Sequence, residues 1–130
     1  MLEIVSLLLV ALLFGGMTLY AFGFAAVLFA ALPVDMVRLT LRRAFPHFYL
    51  FVIVTAAAGA ALMWSQNRGS ALMLGLIALS TVPTRQSLMP AINAATDQGR
   101  HGRFKALHGL SVLVTLAHIA LSAVVLARFI

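Results

Sequence analysis

The sequence predicts an all-α integral membrane protein, a four-helix bundle with both termini on the outer, periplasmic side and a short amphipathic interfacial helix between helices 1 and 2. Three observations predict it. Of the 130 residues, 63% are hydrophobic and 9% charged, where soluble domains carry about 45–50% and about 25%. Mean hydropathy is +1.08. The few charges fall between long uncharged runs. A water-soluble globule would need more polar surface than this to cover its core. That excludes a soluble enzyme, a disordered chain and a free nucleic-acid-binding domain. With no cysteine, disulfides, thiolate metal centres and cysteine nucleophiles are excluded as well. Nine Lys+Arg against three Asp+Glu would suggest nucleic acid in a soluble protein. Here the basic residues separate apolar runs, the pattern that orients membrane helices, so the expected partner is the lipid bilayer and not nucleic acid.

Ile4–Val34 is an uncharged run of 31 residues, 44–67 one of 24, 69–84 one of 16 and 106–127 one of 22. Crossing hydrocarbon takes about 20 helical residues. Runs one, two and four qualify, and the third qualifies once its helix continues through Arg85 and Gln86 toward Thr96. The economical reading is a single domain, 1–130, with helices at about 2–32, 47–65, 70–96 and 104–129. The first run has no basic leader, its only early charge being Glu3, and it is about twice the length of a secretory apolar core, so it reads as a retained helix. Arg38, Arg42, Arg43, Arg100, Arg103 and Lys105 lie on one side against Arg68 and Arg128 on the other. The positive-inside rule then sets both termini outside, in a bacterial inner membrane. Between Pro33 and Pro46, Val34, Val37, Leu41 and Phe45 recur at helical spacing. Asp35 stands as a candidate N-cap. This segment, 34–45, reads as an interfacial helix whose Arg38, Arg42 and Arg43 lie at lipid headgroups.

Helix 4 carries the best-defined pattern. His108, Ser111, Thr115, His118 and Ser122 follow at intervals of three and four, which keeps all five on one stripe. Polar groups avoid lipid, so the stripe should face the interior. The short link DQGRHG makes helices 3 and 4 an antiparallel hairpin. Folding it at Arg100–His101 sets His108 level with Asn93, Ser111 with Pro90, Thr115 with Gln86 and His118 with Pro83. Pro83 and Pro90 free the carbonyls of Leu79 and Gln86, so the stripe either repairs these breaks or forms a ligand site together with Arg85, Gln86, Asn93 and Asp97. His118, an ionisable group near mid-membrane, carries the ligand reading furthest. Arg85 lies opposite Leu116, with Asp97 about 18 Å along the helix. It must snorkel, meet carbonyls freed by proline, or meet an anionic ligand or partner subunit.

In helix 1, Gly15, Gly16, Tyr20 and Gly23 form a packing face, and Gly59 with its flanking alanines does so in helix 2. The length of helix 1 requires it to tilt, to bend at Gly15–Gly16 or to protrude. Met17, Met63, Met73 and Met89 show no cluster and read as core filling rather than soft copper ligands. His47 and His108 each begin a helix at the basic side, which leaves a bis-histidine b-haem as a geometric alternative. No cofactor is otherwise expected. The dispersed acids cannot form a two-carboxylate hydrolase centre, and a Ser–His pair lacks its third member, so no catalytic residue is expected.

FGGM (Phe14–Met17), RxxFPxFY (Arg42–Tyr49), PAIN with Asp97 (Pro90–Asp97) and FKALHGLS (Phe104–Ser111) occur in that order. Together they resemble the transmembrane protein 205-like family, whose bacterial members are membrane proteins of unknown function. The resemblance implies four membrane helices and, from eukaryotic members, a link to platinum-drug tolerance and export. It points to Pro90, Asn93, Asp97, Phe104, His108 and Ser111; where members often carry an asparagine one turn beyond the serine, this chain has Thr115. Two functions follow as expectations: an accessory subunit packed in a larger membrane complex or homo-oligomer, or a binder and exporter of a metal ion or anion.

Overall fold

Apolar runs bounded by Pro, Asn and Gly leave the chain few places to turn, and it turns at three of them. The computed structural model describes residues 1–130 as four helices: α1 (Leu2–Ala31), α2 (Val34–Met63), α3 (68–97) and α4 (His101–Ala127). Pro33 stops α1 by forcing Leu32 into an extended conformation, φ −125° and ψ 153°, as a following proline does to its neighbour. Asn67 starts α3, its side chain accepting the Ser70 N–H at 3.0 Å. Gly99, at φ +66°, ends α3. The Arg100 N–H reaches the Ala95 carbonyl and the Gly99 N–H that of Thr96, the paired bonds of a Schellman cap.

Each helix packs on two neighbours, α1 on α2 and α4, and α3 on α2 and α4, with successive helices antiparallel. Both termini therefore lie at the same end as the α2–α3 turn, where Gln66 Nε2 donates to Ser6 Oγ at 3.0 Å. Val10, Leu13 and Met17 of α1 meet Val52 and Ala56 of α2, Leu74 and Ile77 of α3 and Val125 of α4 in the core. Met17 and Met63 belong to that core, and Met73 and Met89 pack against it, as core filling requires. The helices α1, α2 and α4 are long and apolar enough to cross a membrane. Equally long, α3 is interrupted by Arg85.

The expected interfacial helix 34–45 is not a separate element. It is the first part of α2, which runs unbroken through Pro46. A proline ring removes only one hydrogen bond, here to the Arg42 carbonyl, and continuous helices satisfy their backbone best where water is scarce. Asp35 is likewise not a cap; Pro33 holds that position and Asp35 lies in the first turn. His47 and His108 are both inside helices, not at their starts. In α1 the α-helix runs through Gly15–Gly16 to Thr18, and a π-helical turn at Leu19–Phe24 interrupts it. A second π turn, Thr84–Leu88, interrupts α3, with the Met89 N–H bonding the Thr84 carbonyl. Pro90 then falls in the first turn of the α-helix that resumes, where its missing N–H costs least.

Gly16 fits against the Phe51 ring of α2, which would lie 2.7 Å from a Cβ placed there. Buried Gly59 meets Leu74. A Cβ at Gly15 would meet nothing within 4 Å, and one at Gly23 only Leu19 of its own helix, so neither position needs a glycine for a neighbouring helix to approach.

Candidate functional site: a chamber at the basic end

Three helices diverge at the end opposite the termini. Between the first half of α2, the last part of α3 and the start of α4 lies a cavity of about 520 Å³, within the usual range for small-ligand sites. On α2 its wall is Asp35, Arg38, Arg42, Phe45 and Tyr49; on α4 it is His101, Phe104, His108 and Ser111. Both series step by three and four residues, the interval that holds a stripe on one face. The polar stripe predicted for α4 therefore begins earlier, at His101, and a second stripe faces it from α2. Leu39 and Leu41 of α2 and Met89, Ile92, Asn93 and Thr96 of α3 complete the wall.

The groups at the rim are charged or polar, and those at the floor are buried. Arg42 Nη2 donates to Asp97 Oδ2 at 2.8 Å and to the Asn93 carbonyl at 3.0 Å, tying α2 to the end of α3. Both side chains are well exposed, so the pair contributes at most about 1 kcal/mol. It is the one ion pair of the protein. The His108 ring stacks on Phe104 one turn away, centroids 5.4 Å apart and planes 7° from parallel. At the floor, Ser111 is buried and donates to the His108 carbonyl at 2.7 Å. Tyr49 is buried beside it, at the edge of an aromatic cluster in which Tyr20 of α1 stacks on Phe48 at 4.1 Å. Thus Tyr20 does pack, through rings rather than through the glycine face.

Asn93, His108 and Ser111 all line the chamber, together with Arg38 and Arg42; of the three expected in the interior Ser111 is buried, Asn93 half-buried and His108 exposed. Arg43 is exposed outside the chamber. The other residues predicted for the α3–α4 interior divide. His118 and Ser122 are buried and Thr115 half-buried, farther along α4 than the chamber reaches. Gln86 and Asp97 are exposed, which removes both from the interior; Gln86 lies in the π turn, and Asp97 pairs with Arg42. Ser111 and Ser122 donate to carbonyls of their own helix, those of His108 and Ile119, so they do not repair the breaks at Pro83 and Pro90. His118 Nε2 lies 2.7 Å from Ser80 Oγ, almost one turn from the predicted level of Pro83. Ser80 also lies 2.7 Å from the Leu76 carbonyl, to which its hydroxyl donates. The histidine is therefore the donor in the inter-helix bond when both bonds form together. Arg85 is half-buried, and its Nε–H donates to the Pro46 carbonyl of α2 at 3.0 Å. That carbonyl is not one that proline frees. His47 is exposed and lines no part of the chamber, so the structure does not place it with His108 as a haem pair.

A double-mutant cycle on Ser80→Ala and His118→Leu should show a coupling of about 0.6 kcal/mol, and no more than about 1.7. Reversible unfolding in mixed micelles measures it; strictly additive losses would mean that the two side chains do not interact.

Sequence reasoning missed Asp35, Phe45, Tyr49 and His101 as site residues. The signal was present in the 3–4 spacing from Asp35 to Tyr49, but reading Pro46 as a helix break cut that series in two.

Residues 8–101 match the family described as a domain of unknown function (DUF4149). The matched stretch holds FGGM, RxxFPxFY and PAIN with Asp97, and ends before FKALHGLS. No curated protein matches the chain, and no solved structure matches it. The match identifies the uncharacterised family and does not carry the narrower transmembrane protein 205-like name. Spanning α1, α2 and α3, and so two of the three walls of the chamber, it shows that this chain belongs to the DUF4149 family.

Proposed function

We propose that the chain is a non-enzymatic protein of a bacterial inner membrane, crossing it four times with both termini outside, and that it binds a small solute in the chamber at its cytoplasmic end. The observation that carries this reading is the cavity itself, with a buried floor at Tyr49 and Ser111 and a charged rim at Asp35 and Arg38. Orientation rests on the six basic residues near that end. The protein holds no cluster of three or more His, Asp or Glu side chains, whereas two arginines line the chamber. This favours an anionic solute over a metal ion. The narrower likeness to transmembrane protein 205-like proteins, with their link to export, agrees with a solute-handling role. Purification in mild detergent followed by native mass spectrometry tests the reading. The expected result is a small molecule retained by the parent protein and lost from Ser111→Phe, whose ring fills the floor. Retention unchanged in Ser111→Phe would overturn it.

A second reading, as a subunit of a homo-oligomer or larger membrane complex, is favoured by α4. A Cβ at Gly102 or Gly109 would meet no atom within 4 Å, leaving a thin face on which another helix can approach closely. Gly109→Phe should then shift the native size of the detergent-solubilised protein; an unchanged size would remove this reading.

A further inference from the structure

We infer that the chamber is a binding site for an anionic phosphodiester lipid with a hydroxyl-bearing headgroup, held by its head at the rim and by the start of its acyl chains within. The inference rests on the solute-binding reading above and names the solute's chemistry.

The chamber changes character along its depth. From Asp35 to Tyr49 the α2 wall climbs about 21 Å, passing from an exposed carboxylate and guanidinium to a buried aromatic floor. A small hydrophilic anion would leave that floor of Phe45, Tyr49 and Met89 unused, whereas an amphiphile matches both halves. At the rim the two arginines differ. The Nη2 of Arg42 is committed to Asp97 and the Asn93 carbonyl, while Arg38, one turn nearer the surface, has no carboxylate partner. Arg38 is thus the cation free to meet a phosphate, and an arginine suits the oxygen pairs of a phosphate through its fork of donors. Asp35 lies one turn from it on the same stripe. A carboxylate beside a phosphate repels it, unless the headgroup also carries hydroxyl donors for the carboxylate to accept. This is why the geometry points to a phosphoglycerol-type head and not to a bare phosphate. Position agrees as well: Leu39, Arg38 and His108 at the edge of the chamber are exposed, so a lipid can enter sideways from the leaflet.

The test reconstitutes the full chain in nanodiscs of equal parts phosphatidylglycerol and phosphatidylcholine and counts retained lipids by native mass spectrometry after transfer to detergent. The parent protein should retain phosphatidylglycerol in preference. Arg38→Gln should lower that preference about fivefold, the share of one headgroup-facing cation. Arg103→Gln, which removes an exposed cation outside the chamber, should leave it unchanged, and Ser111→Phe should abolish retention. Equal retention of the two lipids by the parent would overturn the inference. So would an equal loss in Arg103→Gln, which would mean diffuse attraction, or displacement of the lipid by equimolar glycerol 3-phosphate, which would mean a soluble anion. If Ser111→Phe expels a different molecule, the lipid assignment fails while solute binding stands; if it expels nothing, both fail.

Discussion

Arg85→Glu is expected to destabilise the protein by about 3 kcal/mol or more, whereas Arg85→Met should leave stability at or slightly above that of the parent. Arg85 is a half-buried cation with no carboxylate partner; its Nε–H is held by the Pro46 carbonyl at 3.0 Å. A cation in such a place is costly to desolvate, and one bond to a neutral carbonyl offsets only part of that cost. Methionine is of similar length and surrenders the bond together with the somewhat larger desolvation penalty. Glutamate turns a donor into an acceptor facing an acceptor and keeps a charge to desolvate. Unfolding by dodecyl sulfate in mixed micelles should separate the two variants. If methionine proves as damaging as glutamate, the guanidinium bond between α3 and α2 is itself required for folding, and the desolvation argument is wrong.

Leu74→Ala is the second large effect, expected at about 2 kcal/mol. In water such a change loses a transfer term and leaves a cavity. In lipid the transfer term is nearly absent, because separated helices would show Leu74 to acyl chains as apolar as itself. The cavity term remains: at about 24 cal/mol per Å³, a void of roughly 80 Å³ costs about 2 kcal/mol. Leu74 is fully buried against Gly59, with its Cδ1 3.1 Å from where a Cβ on that glycine would stand. Gly59→Ala should therefore recover part of the loss in the Leu74→Ala background. Leu79→Ala, 73% exposed on the same helix, should cost under about 0.5 kcal/mol. Equal losses at Leu74 and Leu79 would show that burial in this bundle does not govern its stability.

Much of the fold was legible because its signals are local. Uncharged runs, the Pro33 boundary and the short DQGRHG link each act within a few residues, and the structure uses them all; the Asn67 cap, equally local, was overlooked. The interior stripe of α4 was legible because spacing alone fixes a helix face. Its burial at Ser111, His118 and Ser122 follows from that, with His108 differing because the helices part around the chamber. The failures share a cause. Pro46 was overruled by the helix around it, for which one lost bond is a small loss beside a break in an apolar setting. The partners of Arg85, Arg42 and Asp97 were hidden because each lies on a helix remote in sequence, and a backbone carbonyl such as that of Pro46 leaves no mark in a sequence. The chamber was half visible: Asn93, His108 and Ser111 were singled out, but the facing α2 stripe became recognisable only once α2 proved continuous.

The helix on which everything turns is α3, the least apolar of the four, because the chamber faces the cytoplasm only if α3 crosses the membrane. The chain contains no cysteine, so single substitutions can be labelled without background. Ser65→Cys, in the α2–α3 turn, and Arg100→Cys, in the α3–α4 turn, are both exposed and lie at opposite ends of α3. A membrane-impermeant maleimide added to intact spheroplasts should label Ser65→Cys at once, and Arg100→Cys only after the membrane is opened. Labelling of both from the same side would contradict the four-crossing arrangement, and with it a chamber opening on the cytoplasmic leaflet.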